Sequence, residues 1–423
     1  MIADLRAAFN ASFSPEKYTE FLQKLDARCG TKVEFRVAET PVFLPRRLME
    51  EIAKAGAQLA ERLMDWPEYL VAARNSIPGG YLVAGETAHP HFLTADFAFV
   101  QGENGELLPR LVEIQAFPSV FAYQVALNKT YAEVFDLGAS PGMYLSGLTE
   151  EGFWKLFRET VLGKHAPKHV ILTEVDPYHQ KTLPDFLLTQ EKLGIPLVEI
   201  SSLVAIGNKL HYRNTMGELI PVHRIYNRAI ADEMIARKVE LPFKLSDSWD
   251  VEWAGHPNWY FLISKYAVPW LAQDEAGLGE ARTVVPPAVF LEDFLEGRGL
   301  ERLRAAGVEL AEGPDAVYEQ LLLKPLFSFA GKGIQFGPSR AELLAIPEGE
   351  RGNFLLQQRM HFVPTIETPH GMTQAEIRIL YVWPDGGKLT AALSLVRLGR
   401  GKMMGVDHNR NQEWVGASGA FWP

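Results

Sequence analysis

Apolar positions recur every three or four residues in two early stretches of the chain. SPEKYTEFLQKLD sets Ser14 ahead of Pro15 and Glu16, a helix-entry pattern, and RRLMEEIAKAGAQLAERLM keeps helical spacing over residues 46 to 64. Both predict helices. From residue 94 the period drops to two, and TADFAFVQGENGELLPRLVEIQAFPSV reads as two strands joined by a Gly-containing turn. Alternation sends Val112, Ile114 and Ala116 toward a core and puts Glu113 and Gln115 on the other face, with Asp96 on the partner strand. That oxygen-bearing face is either a solvated surface or a site.

The rhythm changes again after residue 165. HVILTEV (169 to 175), LPDFLLTQEKLGI and PLVEI (196 to 200) alternate strand, helix and strand, which predicts a βαβ layer continuing through KLHYR and VHRIYNRAI to FLISKYAVPWLAQ. A Pro, Gly and acid-rich passage over residues 273 to 287 marks a boundary. Beyond it, LLLKPLFSFAGKGIQFG (321 to 337) predicts a strand ending in Lys324-Pro325, a loop with Gly331, Lys332 and Gly333, and a second short strand. Glycines allow close approach of backbone to an anion and lysine supplies a point charge, so nucleotide phosphate is the natural ligand. The spacing is not that of a Walker A loop, which would open a helix. FLLQQRM ends a further strand in Gln357 and Gln358, and AEIRILYVW with KLTAALSLVRL forms an expected hairpin carrying Glu376, Arg378 and Arg397. A strand arginine of this kind serves a site, is solvated, or makes a structural ion pair.

Composition narrows the class. A chain of 423 residues with 47% hydrophobic content exceeds one ordinary core and implies two or three domains. Its 42 basic and 52 acidic residues give a net charge of −10 with no Lys/Arg-rich block, which argues against nucleic acid as a partner. The start lacks a charged-then-apolar leader pattern, and no run approaches the ~18 apolar residues of a membrane span, so a cytoplasmic protein with no membrane contact is expected. The single cysteine, Cys29, excludes an internal disulfide and a Cys-rich zinc site. No repeat of solenoid length is visible.

Taken together, the motifs resemble a known family. Lys-Pro, a Gly loop with a second Lys and a strand ending in amides resemble the nucleotide half of an ATP-grasp enzyme. Asp96-Phe97 followed by VEIQAFPS is similar to its metal half, where an Asp precedes Glu-x-Asn and a Pro-containing turn. The metal half comes first here, which resembles the circularly permuted group typified by glutathionylspermidine synthetase. The βαβ layer ending in IYNRAI is similar to that group's pre-ATP-grasp domain, and the tail LVRLGRGKMMGVDHNRNQEWVGASGAFWP resembles its Gly/Arg-rich ending. The resemblance covers roughly residues 80 to 423. Three features depart from it: Gln115 replaces Asn, Thr94-Ala95 rather than Arg precedes Asp96, and the amidase domain of bifunctional members is missing.

The resemblance implies an α/β (α+β) fold in three parts: a helical segment plus metal half over 1–160, a pre-ATP-grasp α/β domain over 161–272, and a nucleotide half over 273–423. It implies ATP and Mg²⁺, with Asp96, Glu113 and Gln115 on the metal and Lys324, Lys332, Gly331 and Gly333 around the phosphates. Gln357 and Gln358 would face adenine. Arg378 and Arg397 would clamp the charge that develops as a carboxylate, activated as an acylphosphate, meets an amine. The implied activity is a small-molecule carboxylate–amine ligase; a phosphotransferase on the same fold and a non-catalytic nucleotide-binding module are the alternatives. A hydrolase using Asp96 and Glu113 leaves the lysine loop unexplained.

Overall fold

The computed structural model describes residues 1–138, 141–327, 333–401, 404 and 411–423. The early helices form where their spacing places them, at Pro15–Cys29 and Arg46–Met64. Ser14 accepts the Lys17 backbone N–H at 3.3 Å to start the first, and Gly30 ends it in the left-handed region at φ 67°. The second helix lays Met49, Ile52, Leu59 and Leu63 on an antiparallel sheet.

That sheet is the centre of the molecule. Its order is Gly416–Ser418, Thr390–Gly399, Gly371–Val382, Phe92–Gln101, Leu107–Gln115, and Ile366–Thr368 also pairs with the third of these. The C-terminal hairpin expected beside the lysine loop therefore pairs with the acid-bearing hairpin instead, Ile377 opposite Phe97 and Arg378 opposite Asp96. Most of the hairpin is buried on both faces, as suits strands inside a sheet covered on two sides. One face packs Leu93, Ala95, Phe97, Ile377, Ile379 and Val396 under the Arg46–Met64 helix. The other buries Phe92, Leu380, Val382 and Leu393 against Phe121, Phe153 and Phe157 at one end. The rest of that face is charged.

A second sheet is all parallel, in the order Glu252–Ala254, Arg224–Asn227, Val170–Glu174, Leu197–Glu199, with helix Leu183–Leu193 crossing between the last two. This is the βαβ layer read from the sequence, except in its continuation: KLHYR leaves it, since Lys209–Arg213 pairs antiparallel with Val204–Ile206 and Leu219–Pro221 in a small sheet of its own, and the FLISKYAVPWLAQ stretch holds the end of helix Trp259–Leu262 and helix Ala267–Gln273. A third, antiparallel sheet carries Ala288–Phe290, Phe354–Gln358, Leu321–Pro325 and Gln335–Phe336 around its own core of Val289, Leu291, Phe294 and Leu323. No described helix is long and apolar enough to cross a membrane. Cys29 is buried, and burial first, then Asp26, pushes its thiol up to about 12, which suits a core residue.

Gly56 shows how closely the long helix rides on the central sheet. The Tyr381 hydroxyl donates to the Ala53 carbonyl at 2.8 Å directly beneath it, and a Cβ at position 56 would collide with that hydroxyl. Alanine favours a helix by up to about 1 kcal/mol over glycine, yet Gly56→Ala is expected to lower unfolding free energy by about 1–3 kcal/mol through overpacking. Chemical denaturation checks this, and adding Tyr381→Phe, which removes the obstructing oxygen, should recover most of the loss.

Candidate active site

The charged end of the central sheet follows from its register. Phe92, Thr94 and Asp96 share a face by alternation, as do Val382, Leu380, Arg378 and Glu376, and Leu393, Leu395 and Arg397. Pairing sets Asp96 opposite both Arg378 and Glu113, and Arg397 opposite Glu376. Two carboxylates directly across a strand pair repel unless a cation lies between them. Arg378 does so: its Nε and Nη2 donate to the two Asp96 oxygens at 2.6 and 2.7 Å, and Nη2 stands 3.4 Å from Glu113 Oε1. Arg397 also donates to Asp96 and pairs with Glu376 at 2.5 Å. Asp96 is 1% exposed.

The electrostatics follow from burial and neighbours. Burial alone would raise the Asp96 carboxyl, but Arg378 and Arg397 outweigh it and hold the group below its ordinary value. Burial would lower the Arg378 guanidinium, but Asp96, joined by Glu113 and Glu376, raises it above its ordinary value, so it stays charged. Glu376 is raised by burial, with Arg397 opposing.

Gln115 sits across from Thr94 at the end of the acid strand. The expected alternation of that strand breaks at one point. The register shifts between Asp96 and Phe97, so Leu111 and Ile114 enter the core and Val112 is left half-exposed. This bulge turns the Val112 carbonyl outward. Lys324, at the end of its strand in the third sheet, donates to that carbonyl at 3.4 Å and to the Gln357 Oε1 at 2.9 Å. The lysine thus bridges two sheets and brings the two predicted groups of residues together. It is 4% exposed, and burial, with Lys265 adding to it against Glu113, lowers its ammonium to about 8.

Lys265 was not singled out from the sequence. It is 5% exposed and its ammonium lies 3.8 Å from Glu113 Oε2. The signal was a lone lysine in the apolar run FLISKYAVPWL, where a solvated charge has no place. Three carboxylates, Asp96, Glu113 and Glu376, are thereby set among four cations, Arg378, Arg397, Lys265 and Lys324. Such a face can receive an anion.

Other predicted residues are placed less centrally. Gln358 is half-buried at the end of its strand, and its backbone N–H donates to the Pro287 carbonyl at 2.8 Å. Gln357 is fully buried, with its Nε2 unpartnered. Gly333 has a φ of +76°, and a Cβ there would meet the Pro325 ring at 2.8 Å. Gly331 and Lys332 lie outside the described residues. His91, just ahead of the strand Phe92–Gln101, is fully buried, with its Nε2 2.8 Å from Asp385 Oδ1.

As to metal, among the described residues no group of three or more His, Cys, Asp or Glu is arranged to hold an ion by itself. Glu113 is the least committed carboxylate, with its nearest cations at 3.4 and 3.8 Å, whereas both Asp96 oxygens already accept from guanidiniums. A hard-oxygen set of Glu113 and the Gln115 carbonyl fits Mg²⁺ that shares its remaining positions with phosphate and water.

Comparison with solved structures decides the fold. Over 96% of this chain and 96% of the other, the protein superposes on a glutathione synthetase-like effector from Globodera pallida in its apo form, with a TM-score of 0.58 at 11% identity. The chain shares that protein's fold. A Methylobacillus flagellatus protein provisionally named gamma-glutamylcysteine synthetase aligns over 86% of this chain and 85% of its own, at 11% identity and a TM-score of 0.38, too slight a likeness to bear on the fold. No protein-family profile and no curated protein sequence matches the chain.

Two outcomes test this geometry. Asp96→Asn leaves two guanidiniums facing a neutral amide and is expected to cost about 3–5 kcal/mol of stability, measurable by denaturant unfolding. For Lys324 the folded value, about 8, lies below the ordinary 10.5. Between these the unfolded chain binds more protons, so the group's contribution to stability rises with pH from about 8 to 10.5 and is absent below. Lys324→Met should flatten that part of the pH–stability curve.

Proposed function

We propose that this protein is an ATP- and Mg²⁺-dependent ligase that joins a small carboxylate to an amine through an acylphosphate, on an ATP-grasp fold in circularly permuted order. One observation carries the reading: buried Lys324 spans the Leu321–Pro325 sheet and the bulge beside Glu113, which brings a cation suited to phosphate up to the acid–arginine face. The likeness in fold to a protein named for glutathione synthetase supports it.

In this reading Lys324 and Lys265, with Lys332, take the α- and β-phosphates, and Gln357 and Gln358 lie toward adenine. The unpartnered Gln357 Nε2 is a donor suited to that ring. Glu113 and the Gln115 carbonyl would hold Mg²⁺, which when bound neutralises charge across the β- and γ-phosphates. Asp96 keeps Arg378 and Arg397 in place. An oxygen of the substrate carboxylate attacks the γ-phosphorus, the bond to the bridging oxygen breaks, and ADP leaves. The amine, having lost its proton, then attacks the acyl carbon, and inorganic phosphate departs with that carboxylate oxygen. Arg378 and Arg397 face the charge that develops on the transferring group, where fixed guanidiniums stabilise it without reorganising.

Lys324→Met removes a charge-assisted contact worth about 1.5–3 kcal/mol, so calorimetry should show ATP bound about tenfold to a hundredfold more weakly. With an ¹⁸O-labelled carboxylate from a substrate panel, label should pass into released phosphate, with sustained ADP formation only when an amine is present. Arg397→Met should slow this step and leave ATP affinity nearly unchanged. Phosphate retained on an alcohol product would establish the phosphotransferase instead, and a parent protein that binds no ATP would defeat the reading.

A further inference from the structure

One buried guanidinium reaches the candidate site from outside it. Arg228 follows the strand Arg224–Asn227 of the parallel sheet, and its backbone N–H donates to the Thr173 carbonyl at 2.8 Å. Its side chain runs under the loop that leaves the acid strand. Nη1 donates to the Pro118 carbonyl at 2.6 Å and to the Ser119 carbonyl beside it. The guanidinium carbon lies 5.6 Å from the centre of the Phe117 ring and 5.2 Å from that of Phe186. Its counterion is Asp185, on the crossover helix, 3.8 Å away and 1% exposed. Asp185 also accepts the Tyr123 backbone N–H at 3.0 Å, in the first turn of the helix Phe121–Val134. The Arg228–Asp185 pair therefore holds the loop on one side and the start of the following helix on the other.

A guanidinium that is 4% exposed, with its counterion no closer than 3.8 Å, is a poor contributor to stability in its own right. What it does secure is position, since two successive carbonyls are fixed from one end of a planar, always-charged group. The loop so fixed begins two residues beyond Gln115. It also presents the Ser119 hydroxyl to Arg378 Nη1 at 3.5 Å, which ties it to the guanidinium between Asp96 and Glu113.

We propose that Arg228 is a positioning residue of the candidate site. By holding the Pro118 and Ser119 carbonyls it sets the exit of the acid strand, and with it Glu113, the Gln115 amide and Arg378, in the arrangement that receives Mg²⁺ with nucleotide phosphate. It touches neither ligand. The metal part of this inference rests on the nucleotide reading above; the hold on the loop does not.

The test uses the full chain with Arg228→Met and Arg228→Lys, read in two ways. Hydrogen exchange followed by mass spectrometry over Glu113 to Gln124 reports the loop and its flanks, including the Ala116 and Tyr123 amides that are bonded in the parent. Calorimetry with ATP, with and without Mg²⁺, reports the metal's contribution to affinity. In Arg228→Met, exchange in this segment should quicken by about tenfold or more. The gain in ATP affinity that Mg²⁺ brings should shrink by about tenfold or more, as for residues that orient metal ligands, with metal-free ATP affinity within about twofold of the parent. Arg228→Lys keeps the charge opposite Asp185 and should show both changes in smaller size; it decides the matter if the Met variant fails to fold. Unaltered exchange in both variants overturns the proposal. So does an equal loss of ATP affinity with and without metal, which a merely structural residue would give. If the parent binds no ATP, the ligase reading and the metal part fall together, and the exchange result alone decides the hold on the loop.

Discussion

A carboxylate buried opposite another carboxylate is the constraint on which this structure turns. Asp96, itself buried, faces the partly exposed Glu113 across one strand pair, and guanidiniums delivered by the neighbouring strands offset their repulsion. The consequence is specificity of pairing. A slip of one residue in Gly371–Val382 would turn Arg378 to the apolar face under the Arg46–Met64 helix and leave Asp96 with neither partner. The charged end of the sheet thus does for register what the apolar end does for stability.

The same pairing connects fold to chemistry. Because Arg378 engages Asp96 with two donors, the guanidinium has little freedom, and its edge toward Glu113 and Ser119 is fixed. Lys324 is held in a comparable way from the other sheet, by an amide oxygen and a bulged carbonyl. Cations held by neutral or shared partners keep unspent attraction for an incoming anion, whereas cations in closed one-to-one pairs do not. Burial that lowers the Lys324 ammonium works against that attraction in the free protein, so an arriving phosphate would also serve to keep the lysine protonated.

Much of this was legible in the sequence, and what was not has physical causes. Helix Arg46–Met64 and the βαβ layer follow from periodicity, and helix Pro15–Cys29 from its Ser14 cap as well, which are local properties. The acids, arginines and Lys324 were recognisable as chemistry-bearing residues in the wrong kind of surroundings. Their arrangement was not, because strand pairing across more than 250 residues leaves no local trace. The Val112 bulge was missed since the strand alternates normally on both sides of it, and the offset exists only relative to the partner strand. Arg228 was missed for a different reason: in IYNRAI nothing sets it apart from a surface arginine, and its role is defined by Pro118, Ser119 and Asp185, all distant in sequence.

The central sheet joins residues 92–115 to residues 371–418, with the parallel sheet and the lysine-bearing sheet lying between them in the chain. During synthesis the acid-bearing hairpin therefore exists long before its partners. Until residues 371–399 have left the ribosome, Phe92–Gln101 is an edge strand with an unpaired row of backbone groups, and Asp96 lacks both guanidiniums. The parallel and lysine-bearing sheets, whose strands lie nearer one another in sequence, can form first and hold the two ends of the chain in reach of each other. Closing the central sheet then comes late, and it is the same step that assembles the candidate site, so loss of residues 371–399 would remove the candidate site and the middle strands together.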